Sequence, residues 1–323
     1  MPYVPSETCQ HKMTSEFSRP LISADALAAA IPLRLAIESQ RQAFAVLARG
    51  QAIMGARGVI PNGADAQFAY IARASENGPT VVKFGSVTPG NTKRALPIVQ
   101  SYIGVMNAVT GSLDYFVDGE MTTRIRTTAA SMLAAEILAN PIKKITVVGT
   151  GHTAIAHIEA SLDLFSPTSI SVLSRRQNDG FLNHFPTNSP IRITQNENEA
   201  LDGADLIFVC TNSNTPVLKS RLAPGATLIS IGAFAPNREE ISGQQVLLAD
   251  AIFADDAHTA ITQCGSLVSA ARFGKLEVNV TSIGEVINKV SPGRTSDKET
   301  IMYFSVGLGV QDAAIVETFL SNK

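Results

Sequence analysis

The stretch ITVVGTGHTA, residues 145–154, decides the fold of this chain. A β-branched run typical of a buried strand leads directly into the pattern Gly-x-Gly-x-x-Ala, after which a helical pattern continues to Phe165. The first glycine permits a tight turn, the second lets backbone N–H groups approach a pyrophosphate, and the alanine lets helix and strand pack closely. A simple tight turn is the alternative, but the order of strand, helix and strand favours a dinucleotide site. Its predicted residues at this turn are Gly149, Thr150, Gly151, His152 and Thr153.

Strands and helices alternate after this turn. The segments SISVLSRR, IRITQ, DLIFVCT and ATLISIGA read as strands, with helical segments or turns between them. Such alternation predicts an α/β fold with a doubly wound parallel sheet.

The part of the chain before the turn has a different pattern. Residues 23–50 read as helix, and Pro32 is predicted to divide them in two. The segments FAYIARA, TVVKFGSV, LPIVQSYIGVMNAVTG and SLDYFVDG read as antiparallel strands, followed by a helix over 127–139. Residues 299–321 read as one strand and one helix, which either extend the parallel sheet or return to the first domain.

The end of the second parallel strand predicts which nucleotide binds. An NAD enzyme usually has Asp or Glu there to hold the ribose 2′-hydroxyl, whereas this chain has SRR at 174–176 and no acid before Asp179. Arginine binds a 2′-phosphate well, so the sequence predicts NADP(H) in preference to NAD(H). The alternative is that both arginines are solvated loop residues. The predicted cofactor residues at the carboxyl ends of the strands are Ser174, Arg175, Arg176, Thr211, Ser213 and Gly232.

The composition excludes several classes of function. The 323 residues carry a net charge of −2 with both signs interspersed, which argues against a nucleic-acid or polybasic membrane surface. No apolar run reaches the length of a membrane span, and the polar N-terminal stretch has no apolar core of a secretory signal. The three cysteines and five histidines are scattered, so neither a disulfide framework nor a metal site is predicted. Free thiols predict a cytoplasmic protein.

Basic side chains in the first domain are candidates for binding an anionic substrate. Arg124 and Arg126 lie at or just before the predicted helix start, where acidic residues are normally favoured, so an anion is expected there. Lys83 shares a strand face with apolar neighbours and either points inward to an anion or is a solvated edge-strand lysine. Arg57, in a glycine-flanked loop, is either a ligand contact or a surface residue.

Four motifs in this order resemble the ornithine cyclodeaminase/mu-crystallin family: VKFGSVTPGN, RTTAASMLAAEILA followed by GTGHTA, IGAFAPNREEI, and FSVGLGVQDAA. The resemblance begins at about Leu21 and continues to the C-terminus. It implies a Rossmann domain inserted into an α+β substrate-binding domain whose sheets pair across a homodimer. The implied division is a polar tail at 1–20, a substrate-binding and dimerisation domain at 21–126 plus 301–323, and a Rossmann domain at 127–300.

The same resemblance implies the roles of the basic residues. Arg57, Lys83 and Arg126 would bind the substrate α-carboxylate beside the nicotinamide, with Lys83 and Arg126 as the catalytic pair. Arg126 and the following helix N-terminus would form a carboxylate clamp, whereas Arg124 would be a surface or interface residue. Asp312 is expected to be only an acid in the first turn of the last helix.

One departure from the family pattern bears on the reaction. Cyclodeaminases carry an aspartate shortly after the glycine of the fifth strand, where this chain has Phe234. A phenyl ring cannot accept a proton, so the resemblance favours the ketimine reductase branch, with Phe234 as a substrate-binding residue against the ring methylenes. A core position for Phe234 stays open.

The expected reaction is hydride transfer from NADPH to C2 of a cyclic imino acid, Δ1-pyrroline-2-carboxylate or Δ1-piperideine-2-carboxylate, giving L-proline or L-pipecolate. Either Lys83 or a bound water supplies the imine proton. The alternatives are an ornithine cyclodeaminase, an open-chain amino-acid dehydrogenase or synthase of the same fold, and a non-catalytic binding protein.

Overall fold

A computed structural model describes residues 19–176, 179–233, 235–274 and 278–322 of this chain. Most of the predicted tail and Phe234 lie outside the described residues. The described chain forms two sheets with one long helix between them. No described helix combines the length and the apolar character that crossing a bilayer requires.

The first sheet has seven strands in the order β1-β7-β6-β5-β4-β2, with β3 also pairing with β4. Strands β2 to β7 pair antiparallel, as the alternating pattern predicts, and the short β1 joins β7 in parallel. The strands are β1 (Leu21–Ile22), β2 (Ile53–Met54), β3 (Gly58–Asn62), β4 (Asp65–Arg73), β5 (Thr80–Val87), β6 (Val99–Met106) and β7 (Leu113–Asp118).

Two helices precede most of this sheet, α1 (Ala24–Ala30) and α2 (Leu33–Ala48). Ser23 caps α1 by accepting a hydrogen bond from the backbone N–H of Ala26. The break at Pro32 is confirmed, because proline has no N–H to continue the helix.

Helix α3 (Gly119–Leu138) lies between the two sheets and contacts β6 of the first and, in the second, β12 (Thr227–Ser230). The prediction of a start at residue 127 was wrong by two turns. Asp118 caps the helix by accepting from the N–H of Met121 at 2.7 Å, and Glu120 occupies the first turn, where the macrodipole favours an acid. Arg124 and Arg126 therefore lie inside the helix and not at its start.

The second sheet is parallel and has eight strands in the order β10-β9-β8-β11-β12-β15-β13-β14. This arrangement confirms the predicted doubly wound α/β fold. Its other strands are β8 (Lys144–Val148), β9 (Ser169–Leu173), β10 (Ile191–Thr194), β11 (Leu206–Val209), β13 (Ala251–Ala254), β14 (Thr281–Ser282) and β15 (Ile301–Phe304). Its helices are α4 (His152–Phe165), α5 (Glu197–Leu201), α6 (Gly243–Val246), α7 (Ala257–Gln263), α8 (Gly265–Gly274) and α9 (Ile283–Ile287).

The placement of residues 301–323 in the first domain was wrong for the strand. Strand β15 pairs in parallel with β12 on one side and β13 on the other, and all four of its residues are buried. A wholly apolar strand suits the centre of a parallel sheet, which is covered on both faces. Helix α10 (Gly309–Ser321) does return to the first domain, where it packs against α2, α3 and β4. The chain therefore crosses between the domains in the four residues 305–308.

Candidate active site

The glycine turn lies at the carboxyl end of β8, the strand between β9 and β11 where the chain order reverses. Gly149 has φ +116°, and a Cβ built there would lie 2.6 Å from the carbonyl oxygen of Cys210. Any side chain would strain this turn, so Gly149 fixes how closely β8 and β11 approach. Parallel sheets bind dinucleotides at such a reversal.

Gly151 meets the requirement for a close phosphate approach. It caps the N-terminus of α4, and a Cβ built there meets no atom within 4 Å, so its exposed side faces open space. Thr150, His152 and Thr153 surround it, and Ala154 is fully buried against the sheet, as the motif predicts. The open space, the glycine and the free N–H groups of a 14-residue helix fit a dinucleotide pyrophosphate.

The run at 174–176 follows the end of β9. The Ser174 hydroxyl donates to the carbonyl of Arg176 at 2.8 Å and closes a turn that projects both arginines outward. Arg175 and Arg176 are exposed, and neither forms an ion pair with a described acidic side chain. With no acidic partner among the described residues, both guanidinium groups at this edge are available to an anion.

Thr211 and Gly232 follow the ends of β11 and β12, and a buried carboxylate that the sequence analysis missed joins them. One oxygen of Glu240 accepts from the Thr211 N–H at 2.8 Å and from the Thr211 hydroxyl at 2.5 Å. The other accepts from the Gly232 N–H at 2.6 Å and the Ser230 hydroxyl at 2.9 Å. Burial raises the pKa of Glu240, and these hydrogen bonds oppose the rise. Glu240 thus holds two crevice loops together. Ser213 lies in the first of them, where its hydroxyl donates to the carbonyl of Thr215.

Lys83 points inward from β5, and its side chain is only 3% exposed. Its ammonium group donates to a carboxylate oxygen of Asp312 at 2.9 Å and to the hydroxyl of Thr123 on α3. The other oxygen of Asp312 accepts from the Tyr70 hydroxyl at 2.7 Å. The edge-strand alternative for Lys83 was therefore wrong, because this lysine is buried and paired.

Asp312 is more than a first-turn acid. Its side chain is fully buried, and it lies 229 residues along the chain from Lys83. Burial alone would raise its pKa, but the ammonium of Lys83 and the guanidinium of Arg126 hold the pKa of Asp312 below its usual value. Burial lowers the pKa of Lys83, although Asp312 opposes the change. The pair is therefore an ionised contact in which the lysine is a weaker base than usual.

Arg126 and Arg57 converge on the loop between β15 and α10. Nε of Arg126 lies 3.8 Å from an oxygen of Asp312, is buried, and has no hydrogen-bond partner among the described residues. Nη2 of Arg57 donates to the carbonyl of Gly307 at 3.0 Å, and its guanidinium lies 5.2 Å from the centre of the Tyr70 ring. The structure thus brings together Arg57, Lys83 and Arg126, the three basic residues singled out in the sequence.

Asp255, directly after β13, binds the backbone of the loop between β15 and α10. One of its oxygens accepts from the N–H groups of Val306 and Gly307 at 2.9 and 2.8 Å. Burial raises the pKa of Asp255 to about 6. Gly307 therefore donates to an acid through its N–H and accepts from Arg57 through its carbonyl, which fixes the loop between them.

The charge balance of this cluster favours an anion. Lys83 and Arg126 share one contacting carboxylate, that of Asp312, Arg57 binds only a backbone carbonyl beside them, and a buried N–H of Arg126 is left without a described acceptor. A small carboxylate would supply the missing charge and acceptors.

Arg126 and Arg124 both lie within α3, well after its first turn. The clamp formed by Arg126 and a helix N-terminus was wrong, because Arg126 lies in the third turn of α3, where backbone N–H groups are already bonded within the helix. Arg124 lies on the surface, where its guanidinium is 3.5 Å from Glu159 and both side chains are about half exposed.

No group of three potential metal ligands occurs among the described residues.

This chain is similar to a known protein family and to a named relative. A model of the ornithine cyclodeaminase/mu-crystallin family matches residues 28–322. A Δ1-pyrroline-2-carboxylate reductase of Bacillus cereus is 28% identical over 249 residues, which cover 75% of this chain and 76% of that protein.

Two solved structures share the fold. An archaeal alanine dehydrogenase dimer with bound NAD is 26% identical, with a TM-score of 0.86 over 94% of this chain and 95% of that one. A Thermococcus litoralis Δ1-pyrroline-2-carboxylate reductase, solved with NADH and L-proline, is 23% identical, with a TM-score of 0.85 over 94% and 97% of the two chains.

Proposed function

The chain belongs to the ornithine cyclodeaminase/mu-crystallin family and is a nicotinamide-dependent oxidoreductase, and from that premise we propose that it reduces a cyclic ketimine. The substrates proposed are Δ1-pyrroline-2-carboxylate and Δ1-piperideine-2-carboxylate, and the products are L-proline and L-pipecolate. The observation that carries the proposal is a cluster of three basic side chains, in a family with named reductases of this kind: buried Lys83 and mostly buried Arg126 lie beside Asp312, and half-buried Arg57 binds the neighbouring Gly307 carbonyl.

The basic cluster would bind the α-carboxylate of the imino acid. Arg126 would use its free Nε and the planar guanidinium for a charge-assisted contact, with Arg57 held beside it by Gly307. The carboxylate is one bond from C2, so binding it fixes the reacting carbon within a narrow region. A bound nicotinamide supplies the hydride for C2, and the imine nitrogen takes up one proton.

We further propose that the cofactor is NADP(H) in preference to NAD(H). Arg175 and Arg176 follow β9, at the position where the ribose 2′ substituent of a dinucleotide lies in this fold, and no described acid pairs with them. The similar solved structures hold NAD or NADH, so this preference would be a property of this chain's own loop.

A homodimer is proposed from the outer face of the first sheet. Phe84 and Tyr102 are 40% and 46% exposed there, and their ring centres are 6.4 Å apart, with Phe116 6.5 Å from Phe84. An exposed aromatic cluster on a sheet face is typical of an interface. The cytoplasm is the proposed location, on the ground that the buried cysteines Cys210 and Cys264 are free thiols.

The test of the function is NADPH oxidation by purified protein given each ketimine, at mildly acidic and neutral pH, with NADH in parallel. We expect turnover that falls about 10- to 100-fold in kcat/KM in Arg126→Ala, the effect of losing a charged hydrogen bond. The matched control is Arg124→Ala, which removes a surface arginine from the same helix and should leave kcat/KM unchanged. Turnover of pyruvate with ammonium but of neither ketimine would replace the proposal with an open-chain dehydrogenase. Release of ammonia from ornithine with NAD would replace it with a cyclodeaminase.

A further inference from the structure

The hydroxyl of Thr123 has a fixed direction. Its Oγ1 donates to the carbonyl of Gly119, one turn earlier in α3, at 2.6 Å. A hydroxyl has one hydrogen, so toward Lys83 the Thr123 oxygen acts as an acceptor. The same reasoning applies to Asp312, which is ionised and accepts only.

These two acceptors leave one proton of Lys83 uncommitted. An ammonium group has three N–H donors, of which one meets Thr123 and one meets Asp312. The third N–H meets no described acceptor. The side chain has little freedom to turn, because it is buried on a central strand paired with β4 on one side and β6 on the other.

The hydrogen bonds of Lys83 with Thr123 and Asp312 can also form after that proton leaves. A neutral amine keeps two N–H groups, which continue to donate to Thr123 and Asp312, and its lone pair then occupies the third direction. No hydrogen bond has to break or turn between the two states. The lowered pKa of Lys83 matches a group that gives up a proton readily.

We propose that Lys83 donates the proton to the imine nitrogen and that Thr123 is the positioning residue that directs it. This inference rests on the proposed ketimine reduction. The N–H bond of Lys83 breaks, its proton forms the new N–H bond of the substrate, and C2 takes the hydride from the nicotinamide as the C=N double bond becomes single. The imine nitrogen and the α-carboxylate are both attached to C2, so a substrate whose carboxylate is held by Arg57 and Arg126 would bring its nitrogen to the same cluster, where the one uncommitted N–H of Lys83 is available to it. Solvent then restores the proton to Lys83.

Thr123→Val tests the role of the hydroxyl, because it removes the acceptor while keeping the side-chain shape. The matched control is Thr122→Val on the same helix. Thr122 donates a similar back bond, to the carbonyl of Asp118 at 2.7 Å, and forms no described hydrogen bond with Lys83. Thr123→Ser restores a hydroxyl, and Thr123→Ala serves if the valine variant does not fold.

The expected result is a kcat about tenfold lower in Thr123→Val, with KM and NADPH affinity within twofold of wild type. The loss should grow as pH rises, because at acidic pH solvent protonates the imine and the enzyme need not. Thr123→Ser should recover most of the activity, and Thr122→Val should behave as wild type. A purely structural role would lower stability and activity without this dependence on pH.

The outcomes separate the two proposals. If wild type reduces neither ketimine, the proposed function fails and the inference fails with it. If wild type reduces a ketimine but Thr123→Val and Thr122→Val share the same kcat and pH profile, only the inference is overturned.

Discussion

Gly307 leaves space for the guanidinium of Arg126, because a Cβ built on this glycine would be 2.8 Å from Nη1 and 2.9 Å from Nη2. Gly307 also has φ +77°, a conformation that side-chain-bearing residues rarely adopt. The position therefore requires glycine both for its backbone and for the arginine beside it.

Gly307→Ala is predicted to raise the KM for the imino acid about tenfold, because the methyl group displaces Arg126 from its place beside Asp312. The left-handed backbone should also cost about 1 kcal/mol of stability. Steady-state kinetics and thermal unfolding measure the two effects. The matched control is Gly63→Ala, at φ +62° with no atom within 4 Å of the added carbon, which carries the strain without the contact. Equal KM values in the two variants would contradict the prediction.

The two glycines of the cofactor turn should respond differently to the same change. Gly149→Ala is expected to destabilise the protein without any ligand, because its Cβ would lie 2.6 Å from a backbone oxygen and its φ is +116°. Gly151→Ala should lower the ligand-free melting temperature much less, because its Cβ meets nothing and only the N-cap preference for glycine over alanine is lost.

The affinity for NADPH tests the role of Gly151 at the cofactor turn. Gly151→Ala should weaken NADPH binding about tenfold or more, because the methyl group occupies the space through which a pyrophosphate approaches the helix N-terminus. Calorimetric titration measures it. Unchanged NADPH affinity in Gly151→Ala would place the phosphates elsewhere.

The two arginines after β9 should set the nucleotide preference. We expect the double variant Arg175→Ala/Arg176→Ala to lose about tenfold or more in NADPH affinity while its NADH affinity changes less than twofold, because only NADPH carries the 2′-phosphate. The comparison variant is Arg272→Ala, which removes an exposed arginine from α8. Equal losses for both nucleotides would mean that the arginines provide general attraction and no discrimination.

His157 should make the protein less stable in acid. It is fully buried in α4, and burial lowers its pKa from 6.5 to about 4. A histidine whose pKa is depressed by folding stabilises the folded state above the unfolded pKa, and this contribution is lost as pH falls from about 6.5 toward 4. The change is at most about 3 kcal/mol in the free energy of unfolding.

Comparing the wild-type protein with His157→Leu isolates the effect of His157 on how the free energy of unfolding depends on pH. Urea unfolding at several pH values should give a shallower acid slope for the variant. Asp255, whose raised pKa acts in the opposite direction, is present in both proteins and cancels. Parallel slopes for the two proteins would show that His157 does not titrate in this range.

The sequence predicted those parts of the fold that depend on local pattern. Gly149, Gly151 and Ala154 are within six residues, and their roles follow from backbone geometry at one turn, so the second sheet could be predicted. Pro32 broke its helix for an equally local reason. The family resemblance, which is confirmed, rested on four such motifs.

The parts that were missed depend on residues far apart in the chain. Nothing near Asp312 marks it as the partner of Lys83, since an acid in a first helical turn is common. The inward direction of Lys83 was the available signal, because a buried lysine requires an acid somewhere. Nothing in the four apolar residues of β15 indicates which of the two sheets the strand joins. Asp118 as a helix cap was the overlooked local signal, and it would have moved the start of α3 back to its observed position.

The short crossing from β15 to α10 bears on how the chain folds as it is translated. Lys83 emerges early, but the carboxylate that neutralises it lies 229 residues later, after every strand of the second sheet. Until α10 docks, the first sheet holds a lysine without its counter-ion, and closing so long a loop is slow. The contact between Lys83 and Asp312 therefore forms only in chains whose second sheet has already been synthesised, so an incomplete chain cannot present the complete basic cluster.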